Sequence, residues 1–318
     1  MQQYKILISD RVADVCSAHL SDRGFKVDTS SGLTSEDLCA MIGDYHGLIV
    51  RSASKVTADV VHAARNLRVI GRAGVGVDNI DVAAATKRGI AVLNAADGNT
   101  ISAAEFAFGL MIALARQIPA SHISMQNGKW ERQAFRGVEL YGKVLGVIGL
   151  GKIGREVASR AQAFGMQVLA YDPLIGFEVF RAAEVKQVDL NELFTNSDFV
   201  TVHVPLADAT RNLISTEQLQ NCKPGLRLIN AARGGVVDEQ ALYDAIKSGN
   251  VAGAALDVYA KEPPGENALI GLENVITTPH LGASTFEAQL KVAKQIANLV
   301  ADFLLDGIAE NIVNPESQ

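Results

Sequence analysis

Residues 143–172 read KVLGVIGLGKIGREVASRAQAFGMQVLAYD, and they set the architecture expected of the whole chain. The apolar, β-branched run Val144–Ile148 predicts a buried strand. Three glycines, Gly149, Gly151 and Gly154, follow it with the spacing G-x-G-x-x-G, and then come a helical pattern and a second strand. Glycines in this strand–turn–helix context indicate a site for the pyrophosphate of a dinucleotide.

Each glycine of the motif has its own physical reason. Gly149 permits the tight turn, Gly151 lets a pyrophosphate approach the backbone, and Gly154 allows the helix to pack closely on the strand. The helix N-terminus offers free N–H groups and the positive end of its dipole to the phosphates. Asp172 ends the second strand, where its carboxylate can accept both hydroxyls of an adenosine ribose and repel a 2′-phosphate. The sequence therefore predicts NAD, rather than NADP, as the cofactor.

Composition restricts the classes of protein to consider. The chain has 318 residues, 48% of them hydrophobic and 20% charged, which is typical of a protein with a large core and suggests two domains. The net charge of -6 gives no indication of a nucleic-acid or membrane partner. The start of the sequence, MQQYKILISD, lacks the apolar segment of a signal peptide. The three cysteines, Cys16, Cys39 and Cys222, suit free thiols in the cytoplasm, with neither a disulfide framework nor a metal site.

Short apolar strands alternate with helical patterns over residues 5–93. Because parallel strands need helical crossovers between them, this alternation predicts a doubly wound α/β domain that precedes the glycine motif. The predicted helices include Ser35–Ile42 and Asp81–Lys87. The predicted strands are Ile6–Ser9, Phe25–Val27, Leu48–Val50, Val69–Ile70 and Ile90–Leu93.

Two loops at strand ends of this first domain each carry an arginine. Arg51 is followed by Ser52, and Arg72 lies in the glycine-rich segment 71–78. Ligands of open α/β sheets bind beyond the carboxyl ends of the strands. The glycines around Arg72 indicate backbone that lies close to a ligand. We therefore predict a ligand contact for both arginines, although most arginines in proteins are simply surface residues.

An apolar helix is predicted over Ala103–Arg116, with Ser102 as its N-cap and Glu105 completing a capping box. A helix that is apolar on all sides must be buried on all sides, either at a domain junction or at a subunit interface. The following segment, residues 121–141, is more polar. One interpretation is an arm that reaches a partner subunit, where Arg132 would contact the substrate.

The same alternation continues after Asp172, and a final helix, Thr285–Leu305, is expected to return to the first domain. The predicted fold is α/β, with two doubly wound parallel-sheet domains. Residues 99–283 form the cofactor domain, inserted between residues 1–98 and 284–318 of the substrate-binding domain. The other predicted elements are the strands Asp198–Val204, Leu226–Asn230, Ala252–Leu256 and Val275–Thr278 and the helix Glu239–Lys247.

Two histidines, His203 and His280, end strands of the cofactor domain. His280 is the better candidate for chemistry, because a Gly-Ala turn follows it and Glu262 precedes it in a proline-held loop. A carboxylate beside an imidazole fixes its tautomer and favours its protonated form, which suits a general acid–base near neutral pH. Arg233, on a glycine-flanked strand end, can hold a carboxylate through its planar guanidinium. Together these residues would orient a 2-keto or 2-hydroxy acid against a nicotinamide.

Longer segments of the sequence extend these observations. They are LIVRSASKVTADV at 48–60, GRAGVGVDNIDVAAA at 71–85, GLGKIGREVASR at 149–160, NAARGGVVDEQAL at 230–242, GAALDVYAKEPP at 253–264 and TPHLGAST at 278–285. Through them the chain resembles, over nearly its whole length, the D-isomer-specific 2-hydroxyacid dehydrogenases. The resemblance is strongest to the members that act on D-3-phosphoglycerate.

The resemblance implies a Rossmann NAD-binding domain inserted into a flavodoxin-like substrate-binding domain. It implies NAD-dependent oxidation of D-3-phosphoglycerate to 3-phosphohydroxypyruvate, the first step of L-serine biosynthesis, in a homodimer or higher homo-oligomer. Long members of the family carry C-terminal regulatory domains that bind serine. This sequence stops at Gln318, just after Val313-Asn314-Pro315, which resembles the end of the catalytic portion. We therefore expect a catalytic portion without serine feedback, either a short form or a piece of a longer chain.

The resemblance also implies roles for individual residues. The catalytic set is Arg233, Glu262 and His280. The substrate contacts are Arg51, Ser52, Arg72, Gly74 and Asn99. The cofactor contacts, besides the glycines of the motif, are Val75, Lys152, Ile153, Asp172, Val204, Ala231, Asp257, His280, Gly282 and Ala283.

Two other functions remain open from the sequence. The first is a reductase of glyoxylate, hydroxypyruvate or D-lactate, because similar catalytic residues serve those substrates. The second is an NAD-sensing scaffold, like the transcriptional corepressors that resemble this family. Turnover of several 2-hydroxy and 2-keto acids would separate the three functions.

Overall fold

The computed structural model describes residues 3–317 of the chain. These residues form two compact units. One unit comprises the chain up to Asn99 and from Ser284 onward, and the other comprises Thr100–Ala283. Each unit has its own sheet and its own hydrophobic core.

All strands of the described residues are short, with two to six residues each. They are β1 (Lys5–Ile8), β2 (Lys26–Thr29), β3 (Gly47–Val50), β4 (Val69–Arg72), β5 (Ala91–Asn94), β6 (Val144–Ile148), β7 (Gln167–Tyr171), β8 (Lys186–Gln187), β9 (Phe199–Val202), β10 (Leu226–Asn230), β11 (Val251–Leu256) and β12 (Val275–Thr277).

Helices connect almost every successive pair of strands. They are α1 (Val15–Asp22), α2 (Ser35–Met41), α3 (Ala58–Ala63), α4 (Val82–Lys87), α5 (Thr100–Ala115), α6 (Ile118–Gln126), α7 (Lys152–Ala163), α8 (Phe177–Ala182), α9 (Leu190–Asn196), α10 (Thr216–Gln220), α11 (Glu239–Lys247) and α12 (Phe286–Asp306). Two 3₁₀ turns, Ile42–Asp44 and Pro315–Ser317, complete the described helical structure.

The sheet of the first unit is parallel throughout, with the strand order β2-β1-β3-β4-β5. This is the order of flavodoxin-like, doubly wound sheets. Helix α12 packs on it so closely that a Cβ added at Gly71 of β4 would lie 2.6 Å from Val300 and 2.9 Å from Ile296. The last helix therefore returns to the first unit, as predicted, and its apolar face completes that unit's core.

The sheet of the second unit is also parallel, with the strand order β12-β11-β10-β9-β6-β7-β8. The order reverses between β6 and β9, which is the position where open α/β sheets bind ligands. The glycine motif directly follows β6. The predicted fold class, two doubly wound parallel-sheet domains, is confirmed.

The strands and the helix around the glycine motif lie where the sequence predicts them. β6, β10 and α11 have the predicted bounds, and the other strands predicted with bounds shift by one or two residues at one or both ends. The hydrophobic pattern is clear in these segments, because their apolar residues have the spacing of a buried strand or lie along one face of a helix.

Helix α5 differs from its prediction in two ways. It begins at Thr100, so Ser102 lies inside the helix and is not its N-cap. Its apolar character also does not bury it on all sides, because Ile101, Glu105 and Gly109 are exposed along one face. In the single chain α5 packs on α7 and the sheet with its opposite face. Burial of the exposed face at a subunit interface, one of the two predicted possibilities, stays a prediction.

Over residues 3–317, no helix by itself has the length and apolar character needed to cross a membrane. Helices α5 and α6 together satisfy that requirement as a pair bent by 63°, by length and composition only.

Candidate active site

The loop between β6 and α7 is shaped by its three glycines. Gly149 has a φ of 91°, and an added Cβ would lie 2.7 Å from Cγ1 of Val204. A Cβ at Gly154 would collide with the carbonyl oxygen of Gly149, so α7 begins directly against the turn. At Gly151 a Cβ would meet no atom within 4 Å, and no side chain caps α7. The start of α7 therefore presents N–H groups beside open space, which fits a bound pyrophosphate.

The carboxylate of Asp172 makes two hydrogen bonds that its predicted role does not require. One carboxylate oxygen accepts a 2.9 Å hydrogen bond from the N–H of Leu150, inside the glycine loop, and the other accepts a 3.0 Å bond from the N–H of Leu174. An ionised carboxylate has about four acceptor positions, so it can still accept ribose hydroxyls. Asp172 thus ties the glycine loop to the end of β7, and its role in selecting the cofactor stays a prediction.

Several predicted residues share one edge of the second sheet. Val204 lies just beyond β9, Ala231 follows β10 directly, Asp257 follows β11 and His280 lies just beyond β12. Because these strands are parallel, their carboxyl ends meet at the edge that also carries the glycine loop. Residues that are far apart in the sequence are brought together there.

His280 and Glu262 form the predicted pair. Nδ1 of His280 lies 2.7 Å from a carboxylate oxygen of Glu262, and the other oxygen of Glu262 accepts a 3.2 Å hydrogen bond from the N–H of Tyr259. The two side chains are 47% and 39% exposed, so a substrate can reach them. With Nδ1–H donated to the carboxylate, Nε2 is left to exchange a proton. This geometry is that of a general acid–base whose tautomer is set by a carboxylate.

The turn that carries His280 is fixed by the buried carboxylate of Asp257. It accepts hydrogen bonds from the N–H groups of Leu281 and Gly282, both at 2.8 Å, and from the hydroxyl of Thr278 at 2.6 Å. His280 has a φ of 57°, a left-handed conformation that costs a non-glycine residue about 1–2 kcal/mol. The hydrogen bonds to Asp257 hold the turn in this conformation. The predicted cofactor contact of Asp257 stays a prediction beside this supporting role.

Arg233 lies in a turn that is held by Asn230, the buried last residue of β10. The side chain of Asn230 accepts from the N–H of Ala232 at 3.1 Å and donates to the carbonyl of Arg233 at 2.9 Å. A Cβ at Gly234 would collide with the carbonyl of Tyr259. The glycine therefore lets the turn with Arg233 pack directly on the loop that leads to Glu262.

His203, the other strand-end histidine, is unsuited to proton transfer near neutral pH. Burial lowers the pKa of His203 to about 4, so its ring stays neutral above that pH. Its Nε2 is also paired with the hydroxyl of Thr201 at 3.0 Å. The choice of His280 over His203 agrees with this environment.

In the first unit, the loop with Arg51 and Ser52 is built around the buried carboxylate of Asp10. That carboxylate accepts hydrogen bonds from the N–H groups of Arg51 at 2.6 Å, Ala53 at 3.2 Å and Ser54 at 3.0 Å, and from the hydroxyl of Ser54 at 2.7 Å. A single side chain at the end of β1 thus sets the shape of the loop after β3.

The loop with Arg72 is joined to the loop with Arg51. Nε of Arg72 donates to the carbonyl of Arg51 at 3.1 Å, and Asn79 donates to the same carbonyl at 3.2 Å. Gly74 has a φ of 149°, and a Cβ there would collide with the guanidinium of Arg72. The carbonyl of Val75 accepts a 2.6 Å bond from Asn94. The two predicted arginines are therefore neighbours in one organised cluster.

The other two predicted substrate contacts, Asn99 and Arg132, lie outside these two loops. The side-chain oxygen of Asn99 is buried and has no hydrogen-bond partner among the described residues, which leaves an acceptor for a ligand. Arg132 is exposed between α6 and β6, next to Trp130 and Glu131. Its predicted role concerns a second copy of the chain.

The family model for the NAD-binding domain of D-isomer specific 2-hydroxyacid dehydrogenases matches residues 108–282, more than half of the chain. The chain belongs to this family. The match covers the glycine motif, Asp172 and all three predicted catalytic residues, and NAD is the cofactor of this domain in the family.

Two relatives named D-3-phosphoglycerate dehydrogenase come from distant organisms and are similarly close to this chain. The protein from Homo sapiens is 50% identical over 313 residues, and the one from Methanocaldococcus jannaschii is 50% identical over 311 residues. Each alignment covers 98% of this chain and 59% of the relative. The chain therefore spans a little under three fifths of the length of these curated relatives.

Solved structures of the family have the same fold over the whole chain. A glyoxylate reductase from Paecilomyes thermophila is 29% identical with a TM-score of 0.91, and all of both chains is covered. A D-lactate dehydrogenase from Aquifex aeolicus, crystallised with NAD and lactic acid, is 27% identical with a TM-score of 0.86, covering 97% of this chain and 99% of that one.

Three residues that organise these loops are not among the predicted site residues. They are Asp10, Asn79 and Asn230, all of which hydrogen-bond to the backbone of a loop with a predicted arginine. The position of Asp10 and Asn230 at strand ends is the signal that could identify them. Asn79 has no such signal, because its partners lie 25 and 28 residues away.

Cofactor selection is expected to depend on Asp172. Replacing it with asparagine removes the charge that repels a 2′-phosphate and weakens the bond to Leu150. We expect the preference for NAD over NADP in kcat/KM to fall by roughly 10-fold or more, since a hydrogen bond to a charged group contributes about 1.5–3 kcal/mol. Glu178→Gln, which changes an exposed carboxylate on α8, is the control. Equal kcat/KM for the two cofactors in the unmodified protein would contradict the assignment.

Proton transfer is expected to depend on His280 and Glu262. His280→Ala should leave NAD binding near normal and cut turnover by about 10²–10⁴-fold, the contribution of a positioned acid–base. In Glu262→Gln the imidazolium loses its stabilising charge, so the pH–rate profile for oxidation should move to lower pH.

The matched control for Glu262→Gln is Glu266→Gln, which neutralises an exposed carboxylate of the same loop. Its profile should coincide with that of the unmodified protein. A Glu262→Gln profile that also coincides would assign the proton transfer to another group.

Proposed function

We propose that the protein catalyses the NAD-dependent oxidation of D-3-phosphoglycerate to 3-phosphohydroxypyruvate, the first step of L-serine biosynthesis, in the cytoplasm. The observation that carries the chemistry is the 2.7 Å hydrogen bond between His280 and Glu262, on the domain that holds the dinucleotide motif. The two relatives named above, with 50% identity over 98% of the chain, support the choice of substrate.

Oxidation removes two groups from the substrate, a proton from the C2 hydroxyl and a hydride from C2. Neutral His280 takes the proton of the C2 hydroxyl at Nε2, because Nδ1–H is held by Glu262. Glu262 then stabilises the imidazolium, and Arg233 holds the substrate carboxylate through its guanidinium. The glycine loop and Asp172 would hold NAD, which when bound would supply the hydride acceptor for C2, so that a ketone remains at C2. In the reverse direction His280 starts protonated and donates to the ketone oxygen.

Phosphoglycerate carries a second anion, the phosphate on C3, which requires donors of its own. We assign this role to Arg51 and Arg72, with Ser52 and Asn99 as neutral partners. The support is the joined cluster of the two arginine loops. The unpaired atom of Asn99 is its side-chain oxygen, which can accept a hydrogen bond from a substrate hydroxyl, so a contact with the phosphate would have to come from the side-chain nitrogen.

A reductase of small 2-keto acids is the alternative function on the same fold. The similar structures of a glyoxylate reductase and a D-lactate dehydrogenase support this alternative. Substrates of that kind have one anion, which Arg233 alone can hold. The arginine cluster favours the phosphorylated acid, because its guanidinium groups can hold a second anion that a small acid does not have.

We also propose that the protein is a homodimer formed through its NAD-binding domain. The support is a group of exposed apolar side chains on one segment, in which Ile101, Ile118, Ile123, Met125 and Trp130 are 42–74% exposed. Exposed apolar surface of this kind marks association sites. Arg132 follows directly in the sequence, so the same contact would bring it to the substrate of the partner.

Substrate selection is expected to depend on the arginine cluster. Arg51→Ala or Arg72→Ala should raise KM for 3-phosphoglycerate by roughly 10- to 100-fold, because each loses a charge-assisted hydrogen bond of about 1.5–3 kcal/mol. The effect on an unphosphorylated acid such as D-lactate should be much smaller. Steady-state kinetics with both acids measure this difference.

Arg68→Ala is the control for these variants, since Arg68 is an exposed arginine of the same unit that bonds to Tyr4. It should change neither KM. Equal losses for both acids in the Arg51 and Arg72 variants would indicate a folding defect. If the unmodified protein prefers glyoxylate or D-lactate to the phosphorylated acid, the proposed substrate is wrong.

Assembly is expected to depend on the exposed apolar segment. Ile123→Asp places a charge on the proposed interface and should convert the dimer to a monomer, as measured by light scattering after size-exclusion chromatography. Leu305→Asp, which changes a 48% exposed leucine of the other unit, is the control and should stay dimeric. A monomer already in the unmodified protein would rule out this interface.

A further inference from the structure

The loop that carries Glu262 has little packing of its own. Of residues 260–267, six are exposed and none is buried. The chain is anchored on either side of this loop by the buried residues Tyr259 and Leu269. A loop with so few buried contacts needs hydrogen bonds to keep one conformation. The position of Glu262 beside His280 therefore depends on what holds the loop.

One side chain from outside the loop binds both of its ends. Glu239, the first residue of α11, accepts a 2.6 Å hydrogen bond from the N–H of Ala260 and a 2.7 Å bond from the side-chain amide of Asn267. The oxygen of that amide in turn accepts from the N–H of Leu269 at 3.0 Å. The carboxylate of Glu239 thus bridges the two ends of the loop to a helix.

Helix α11 is itself firmly placed. Its N-cap, Asp238, accepts from the N–H of Ala241 at 3.0 Å, and Leu242 is completely buried. Glu239 therefore projects from a fixed point toward the loop. No contact of Glu239 with His280 is needed for it to affect the pair.

We propose that Glu239 is a positioning residue for proton transfer, which acts by holding the loop so that Glu262 stays against His280. The proposal rests on the acid–base role of His280 and Glu262 given under the proposed function. Three titratable groups lie near His280: the carboxylates of Glu262 and Asp257, and the phenol of Tyr259, which bonds to the carbonyl of Thr278. Glu239 acts through the first of these.

The alternative is that Glu239 only stabilises α11, because an acidic residue in the first turn of a helix interacts favourably with the positive end of the helix dipole. The two roles differ in what they change. Loss of a purely structural interaction lowers the melting temperature but leaves the pH–rate profile in place. Loss of the positioning role moves the profile in the same direction as loss of Glu262.

The test compares Glu239→Ala and Glu239→Gln with Glu262→Gln and the double variant Glu239→Ala/Glu262→Gln. Gln240→Ala is the matched control, because Gln240 is the next residue on α11 and bonds only to Asp244 among the described contacts. The measurements are kcat/KM for oxidation as a function of pH, NAD affinity by calorimetry, and hydrogen exchange of peptides that span residues 258–269.

We expect Glu239→Ala to lower kcat/KM by roughly 10- to 100-fold, the order of loss that follows a small misplacement of a catalytic group. Its pH–rate profile should move to lower pH, and exchange in the loop should become faster, with NAD affinity unchanged. Glu239→Gln should be intermediate, since its amide can accept from Ala260 but not from Asn267. The double variant should show no further movement of the profile beyond Glu262→Gln.

Each other outcome overturns a defined part of the proposal. If Glu262→Gln moves the profile and Glu239→Ala does not, Glu239 has no positioning role, whatever the exchange rates show. An additive movement in the double variant also rules out the positioning role, because the two residues would then act separately. If Glu262→Gln itself leaves the profile unchanged, the acid–base pair is wrong, and the positioning role is lost with it.

Discussion

Hydrogen bonds from backbone N–H groups to a few carboxylates hold the loops on which the candidate site depends. Parallel sheets end in loops whose N–H groups have no strand partner, and these groups must find acceptors. Asp10, Asp172 and Asp257, each at the end of a strand, accept such bonds from the loop of a neighbouring element. Glu239 does the same from the start of α11. The shape of the site is therefore set by carboxylates that do not themselves carry out chemistry.

This arrangement explains how the partly exposed pair of His280 and Glu262 can keep a defined geometry. His280 and Glu262 are both partly exposed, as groups that meet a substrate must be. Their supports lie beneath them, in the buried carboxylate of Asp257 and in the bonds of Glu239. Side chains whose partners are fixed in this way lose little entropy when the substrate binds, which is the physical meaning of preorganisation. The two side chains stay accessible while hydrogen bonds hold the backbone of their loops.

Much of the architecture could be predicted because its signals are local. The strand before Gly149, the helix after it and the strand that ends in Asp172 are each encoded by consecutive residues. The pairing of Glu262 with His280 was also accessible, since both residues lie in distinctive proline- or glycine-bounded loops. The burial of helix α5 was harder to predict, because an apolar sequence does not indicate which face of the helix a single chain buries and which face it leaves exposed.

The sequence alone thus determines the two α/β domains, the dinucleotide motif and the identity of the residues suited to the chemistry, because those depend on periodicity and on spacing within one segment. Tertiary structure alone decides which loops become neighbours. The bond from Ser54 to Asp10 spans 44 residues, and the bond from Asn267 to Glu239 spans 28. No local pattern encodes such contacts, since they exist only once the strand order has brought the carboxyl ends of β1 and β3, or the start of α11 and the loop after β11, side by side.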